Sequence, residues 1–234
     1  VMTLESEELL VGHSVIIGKD VILAILPNEQ ALKTYPNAKH IFLPQQMLMP
    51  GFVNCHGHAA MNLFKGLADD LPLMTWLEEH IWPAEGQWVN EQFVADGTKL
   101  AISEMLLSGT TCFSDMYFFP EVVAEVSATM NMRAICYGPI LDFPTPYGSG
   151  PDEYFDKILA AHDKFKHQPL IDIGFGPHAP YTVSDEPLKK VRMLSDQLKM
   201  PIQIHLHETE FEVSDALEKT GKRPSQRLDD LNFW

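Results

Sequence analysis

Two histidines, His56 and His58, close the run Pro50-Gly-Phe-Val-Asn-Cys-His56-Gly-His58. Alternate residues of a β-strand point to the same face, so both imidazoles can reach one metal ion from a single strand end. A second run, Pro201-Ile-Gln-Ile-His205-Leu-His207-Glu208, also finishes an apolar stretch in histidines and adds a carboxylate. Imidazole is the commonest metal ligand, and catalytic zinc usually takes three protein ligands and keeps one position for water. The two runs therefore predict a mononuclear metal site where strands end, beside a carboxylate able to carry protons. Strand periodicity places His205 and His207 on the same face and does not choose between them. His207-Glu208 begins like H-E-x-x-H, but Phe211 occupies the last position, which argues against a zincin.

Such a site needs strands to carry it. From residue 51 onward, apolar runs at 52–55, 111–116, 133–140, 171–176 and 202–206 alternate with helical patterns at 92–107, 120–130, 152–165, 186–199 and 210–219. This alternation predicts a parallel sheet covered by helices. Ser184 and Asp185 are expected to cap the fourth helix, and Gly109, Gly138, Gly174 and Gly176 to form tight turns at strand edges. In a (β/α)₈ barrel the active site lies at the C-terminal strand ends. Five βα units do not close a barrel of eight, which occupies ~250 residues. Residues 51–234 are therefore expected to be the first five units of an incomplete barrel that alone lacks part of its site. Expressed by itself, such a segment is expected to be poorly soluble and inactive, because parallel edges stay unpaired. Residues 1–50 read as a separate β-rich unit, with a hairpin of 13–17 and 21–26 about Gly18-Lys19-Asp20 and a further strand at 41–43.

Bulk properties narrow the function classes. The 234 residues are 45% hydrophobic and carry a net charge of −15, which argues against a phosphate-backbone partner. Three dispersed cysteines do not form a disulfide framework and predict a reducing, cytoplasmic setting. No apolar run reaches the ~18 residues of a membrane span, so no membrane partner is expected. The G-x-S-x-G elbow, the phosphate-binding loop, the dinucleotide fingerprint and the H-x-E/P-C-x-x-C deaminase signature are all missing.

The run PGFVNCHGH resembles the first-strand H-x-H signature of the amidohydrolase superfamily. Gly174-Phe-Gly-Pro-His178-Ala-Pro-Tyr181 together with His205-Leu-His207-Glu208-Thr209 resembles the branch of 5'-methylthioadenosine/S-adenosylhomocysteine deaminases, with the triazine hydrolases as neighbours. Trp82-Pro-Ala-Glu85 and the 109–117 run belong to the same resemblance, which spans essentially the whole chain. It implies an α/β chain: an incomplete (β/α)₈ TIM-type barrel with a partial small β-sandwich domain over residues 1–50. It implies a metal-dependent aminohydrolase with His56, His58 and His205 as ligands of one divalent ion, most often zinc. The family pattern H-x-x-E selects His205 with Glu208 and requires the chain to leave the strand after His207. Glu208 then resembles the proton shuttle, His178 a substrate contact, and Glu85 the carboxylate that holds ribose hydroxyls. The implied partners are a small nucleoside substrate and, at full length, further copies of the chain. A family histidine after strand six and an aspartate after strand eight have no counterpart in residues 1–234. The arginines that some members use for a homocysteine carboxylate have none in the 140–150 loop. Two alternatives stand beside this reading. One is another hydrolase on the same scaffold, such as a guanine deaminase or s-triazine hydrolase. The other is a catalytically incomplete fragment or scaffold chain.

Overall fold

A computed structural model describes residues 1–234. The chain divides into two compact units, Val1–Phe52 and Val53–Trp234.

In the first unit, β1 (His13–Gly18) pairs antiparallel with β2 (Val21–Pro27). Lys19 takes a left-handed φ of 58° in the connecting turn. The register shifts between Ile16 and Ile17, a bulge within a short hairpin. A short helix α1 (Asn28–Thr34) follows directly. The strand expected at 41–43 does not form: those residues are exposed and unpaired in any sheet. Apolar, β-branched character favours a strand only where a partner edge exists.

The second unit is built on a four-stranded sheet of β3 (Phe52–Asn54), β4 (Thr110–Met116), β5 (Arg133–Ile140) and β6 (Ile171–Pro177), in which β4, β5 and β6 run parallel. The strands lie side by side in chain order, without the reversal that marks a doubly wound sheet. β5 and β6 read as nearly continuous buried runs, as parallel strands covered on both faces do. Helices α4 (Glu91–Leu107), α5 (Pro120–Thr129), α6 (Pro151–Phe165) and α7 (Asp185–Leu198) alternate with them. Between β3 and α4, helices α2 (Leu73–Thr75) and α3 (Trp82–Trp88) form one continuous helical stretch whose middle, Trp76–Ile81, is wound as a π-helix. Phe113, Ile102, Val123, Phe155, Ile158 and Phe175 form the centre of the core between helices and sheet, each almost wholly buried.

Three local expectations change. The 202–206 run is a single bridge, Phe175 to Ile202, rather than a full strand. It is tied down by three backbone bonds, from Phe175 N–H to Pro201 O, Gln203 N–H to Phe175 O and His205 N–H to His178 O. Gly138, Gly174 and Gly176 lie inside strands and not in turns. At Gly138 a Cβ would come within 2.2 Å of Ile158, so the missing side chain makes room for α6 on the sheet. Gly109, with φ +86°, is the one in a turn. Ser184 occupies the N-cap of α7, but its hydroxyl makes no capping bond; its amide instead donates to Asp142.

Candidate metal centre

The His56–His58 run leaves β3 as a tight loop, and the end of β4 fixes that loop. Met116 N–H donates to Gly57 O, His58 Nδ1–H donates to the Met116 carbonyl at 2.7 Å, and Ala59 N–H donates to the buried Asp115 carboxylate. A 3₁₀ turn, Ala59–Phe64, follows and rests on α4. Contact is close enough that a Cβ on Gly97 would stand 2.4 Å from the Ala60 carbonyl oxygen. On the other side, His205 Nδ1–H donates to the His178 carbonyl at 2.8 Å.

These bonds fix the tautomers. With Nδ1–H committed to a backbone carbonyl, Nε2 of His58 and of His205 is left with its lone pair, the arrangement typical of metal-bound imidazole. Nε2 of His58 lies 3.3 Å from Nε2 of His56 and 3.3 Å from Nε2 of His205. The ligand atoms of all three histidines fall within 4.8 Å of one another. Two lone pairs facing each other repel unless a cation sits between them. Nitrogens held ~2.0–2.1 Å from one tetrahedral ion lie roughly 3.3–3.4 Å apart, so the donor set fits such an ion. Burial draws the His58 imidazole down to about 4, against the pull of the Met116 carbonyl and with further lowering by His205 and His56. Burial, then His205 and His58, bring His178 to about 3. Both rings are thus neutral donors at physiological pH.

A cavity of about 400 Å³ opens on this cluster, and His58, His205, His178, Glu85 and Glu208 all reach it. Trp76, Trp82 and Phe143 are among its apolar lining residues. Trp82 meets Phe143 edge-on at 6.1 Å. His178 Nδ1 pairs with the Thr182 hydroxyl at 2.9 Å, which fixes its ring against the cavity. Glu85 sits in α3, buried, and accepts a hydrogen bond from Tyr117 at 2.8 Å. Burial pushes its carboxyl up to about 7, only partly offset by that bond. Glu208 is exposed, and Tyr181 donates to its carboxylate at 3.2 Å. His207 takes a left-handed φ of 57°, so the chain turns off the strand direction between His205 and Glu208. His207 itself lies outside the histidine cluster, and its Nε2 accepts from Ser225 N–H.

Four further residues lie in the neighbourhood without a role assigned from the sequence: Asp115, which ends the second predicted strand and was left outside the site, Tyr117, Tyr181 and Glu212. Asp115 is 1% exposed, and burial lifts its carboxyl to about 7 against the Ala59 bond. Tyr181 had a readable signal, since it closes the 174–181 run. Glu212 also had one: Thr209 followed by Glu212 has the spacing of a helix capping box. Tyr117 closes the 109–117 run, but only the fold brings it to Glu85.

Residues 47–233 match the amidohydrolase family. A 5-methylthioadenosine/S-adenosylhomocysteine deaminase of Saccharophagus degradans is 58% identical over 222 residues, which are 94% of this chain and 50% of that protein. The crystal structure of an adenosine deaminase from Xanthomonas campestris, with bound zinc, aligns with a TM-score of 0.87 at 45% identity, over 96% of this chain and 51% of that one. A guanine deaminase from Bradyrhizobium japonicum aligns with a TM-score of 0.80 at 19% identity, over 94% of this chain and 49% of that one, a likeness of fold alone. The chain thus spans about half the length of the relatives it matches.

Proposed function

The chain belongs to the amidohydrolase family, and from that membership we propose that it serves the hydrolytic deamination of an adenine nucleoside thioether, 5'-methylthioadenosine and/or S-adenosylhomocysteine, to the inosine analogue and ammonia. The observation that carries the proposal is the cluster of three imidazoles, two of which, His58 and His205, line a largely apolar cavity together with the carboxylates of Glu85 and Glu208. We read residues 51–234 as βα units of an incomplete TIM-type barrel and residues 1–50 as part of a small β-sandwich. The relatives' names and the zinc in the Xanthomonas structure support the reaction class and the metal.

In this reading His56, His58 and His205 hold one divalent cation, with zinc as the ion proposed. When bound, the cation supplies Lewis acidity, enough to bring the pKa of water towards roughly 7. Glu208 takes one proton as water oxygen adds to carbon 6 of the purine and gives it to the ring nitrogen; it then carries the second proton, from the added hydroxyl, to the departing amine. Carbon 6 loses ammonia and keeps the oxygen. His178, neutral and fixed by Thr182, offers Nε2 to the purine edge. Glu85, steadied by Tyr117, accepts from ribose hydroxyls. Trp76, Trp82 and Phe143 form the apolar wall for base and thioether. Residues 140–150 contain no arginine or lysine, which favours a neutral 5' substituent over a homocysteine carboxylate. Free cysteines at 55, 112 and 136 fit a cytoplasmic setting.

The test is a substrate panel on the protein at full native length, read by ammonia release. Turnover of 5'-methylthioadenosine above guanine and s-triazines supports the proposal; turnover of guanine or a triazine alone refutes it.

A further inference from the structure

We propose that Glu212 is the positioning residue for Glu208, an inference that rests on reading Glu208 as the proton shuttle. Glu208 is exposed, on a turn just after the left-handed His207. Exposed glutamates ordinarily sample many rotamers and backbone tilts, yet a proton carrier must meet both water and substrate at hydrogen-bond distance. Something in the fold has to fix where its side chain leaves the backbone.

Glu212 does this from below. It lies one turn into helix α8 (Glu210–Thr220) and is only 5% exposed. Its Oε2 accepts the backbone N–H of Glu208 at 2.7 Å. Its own N–H donates to the Thr209 hydroxyl at 3.1 Å, so the N-terminus of α8 is already capped by Thr209. In an ordinary capping box the third residue reaches back to the amide of the cap residue. Here it reaches one residue further, past Thr209 to Glu208. Its second oxygen, Oε1, is buried with no hydrogen-bond partner. Burying a carboxylate with one oxygen unmatched is costly. Helix capping does not explain that cost, because Thr209 caps the helix without it. Holding the Glu208 peptide does. Tyr181, whose phenol burial and the charge of Glu208 push up, with Glu212 adding to the shift, then meets the Glu208 carboxylate from the side. The peptide and the carboxylate of Glu208 are thereby each tied to one group.

The experiment uses the protein at full native length with 5'-methylthioadenosine. Glu212→Ala is expected to lower kcat by on the order of 10- to 100-fold with KM within ~2-fold and metal content unchanged, the scale of a small misplacement of a catalytic group. Glu212→Gln, which keeps an acceptor oxygen, should recover most of that loss. The effect should vanish in the Glu208→Gln background, since a residue acting only through Glu208 has nothing left to act on. Independently of activity, hydrogen exchange of the Glu208 amide should accelerate in Glu212→Ala. Should Glu212→Ala not fold, Glu212→Asp, one methylene shorter, carries the same expectations. Wild-type kcat in the truncated variant, a loss that adds to that of Glu208→Gln, or a loss accompanied by metal release would overturn the proposal. A fully active Glu208→Gln would instead overturn the shuttle reading on which it stands.

Discussion

Glu208 and Glu85 are two carboxylates on one cavity in opposite environments. Glu208 is exposed and pairs with Tyr181, while Glu85 is 8% exposed. If Glu208 is the shuttle, Glu208→Gln at full native length keeps its metal and loses turnover by at least ~10². Near-normal turnover with metal in place would remove it from that role. Glu85 yields a stability prediction. Its ordinary value is 4.5 and burial holds it at about 7 in the fold. The folded state thus favours the protonated form. That contribution is complete below pH 4.5 and is lost as pH rises through about 7. Ionising it in place costs on the order of 3 kcal/mol. Glu85→Gln should therefore raise Tm at pH 8 by several degrees and leave Tm at pH 5 nearly unchanged. Equal shifts at both pH values in thermal melts would show that Glu85 does not titrate in this window. The H-x-H pair of His56 and His58 was legible as a motif, although the two lie in the loop after β3 and not on the strand that their spacing suggested. Tyr117 was not, because it stands 32 positions from the carboxylate it binds, and nothing local in the sequence records that pairing.

Elements explain why the loop after β3 holds its shape. The end of β4 grips it through Met116 and Asp115, and α4 presses the next turn through Gly97. A methyl group at Gly97 would meet the Ala60 backbone, which cannot move without disturbing His58 two residues away. Gly97→Ala is expected to cost ~1–3 kcal/mol by overpacking and to weaken metal retention, checked by thermal melts with and without a chelator. Unchanged Tm and metal content would mean that α4 slides freely over the loop. Strand β4, with Thr110, Thr111, Ser114 and Asp115, is largely buried despite a polar sequence, whereas β5 and β6 were legible because buried parallel strands run nearly continuously apolar. The 202–206 run had the same composition and became a single bridge, since composition specifies burial and not the number of ladder bonds. The π-helical stretch Trp76–Ile81 was not legible at all. Its residues suit an ordinary helix, and only packing selects the wider winding, which often accompanies functional sites.

At the scale of the molecule, the site joins segments more than a hundred residues apart: His56 and His58 from one end of the sheet order, His205 beyond the other. A ligand that draws these segments together binds the folded chain and not the unfolded one. Metal should therefore stabilise the fold by mass action, by about 4 kcal/mol at a thousandfold excess over Kd. Chelation should lower Tm reversibly, and restored zinc should return it. The most direct measurement is the metal content of purified protein at full native length, wild type beside His56→Ala/His58→Ala and His205→Ala. The reading of a three-histidine centre predicts close to one divalent ion per wild-type chain and a large loss in both variants, each still folded. Wild-type metal content in folded His56→Ala/His58→Ala or in folded His205→Ala would contradict it.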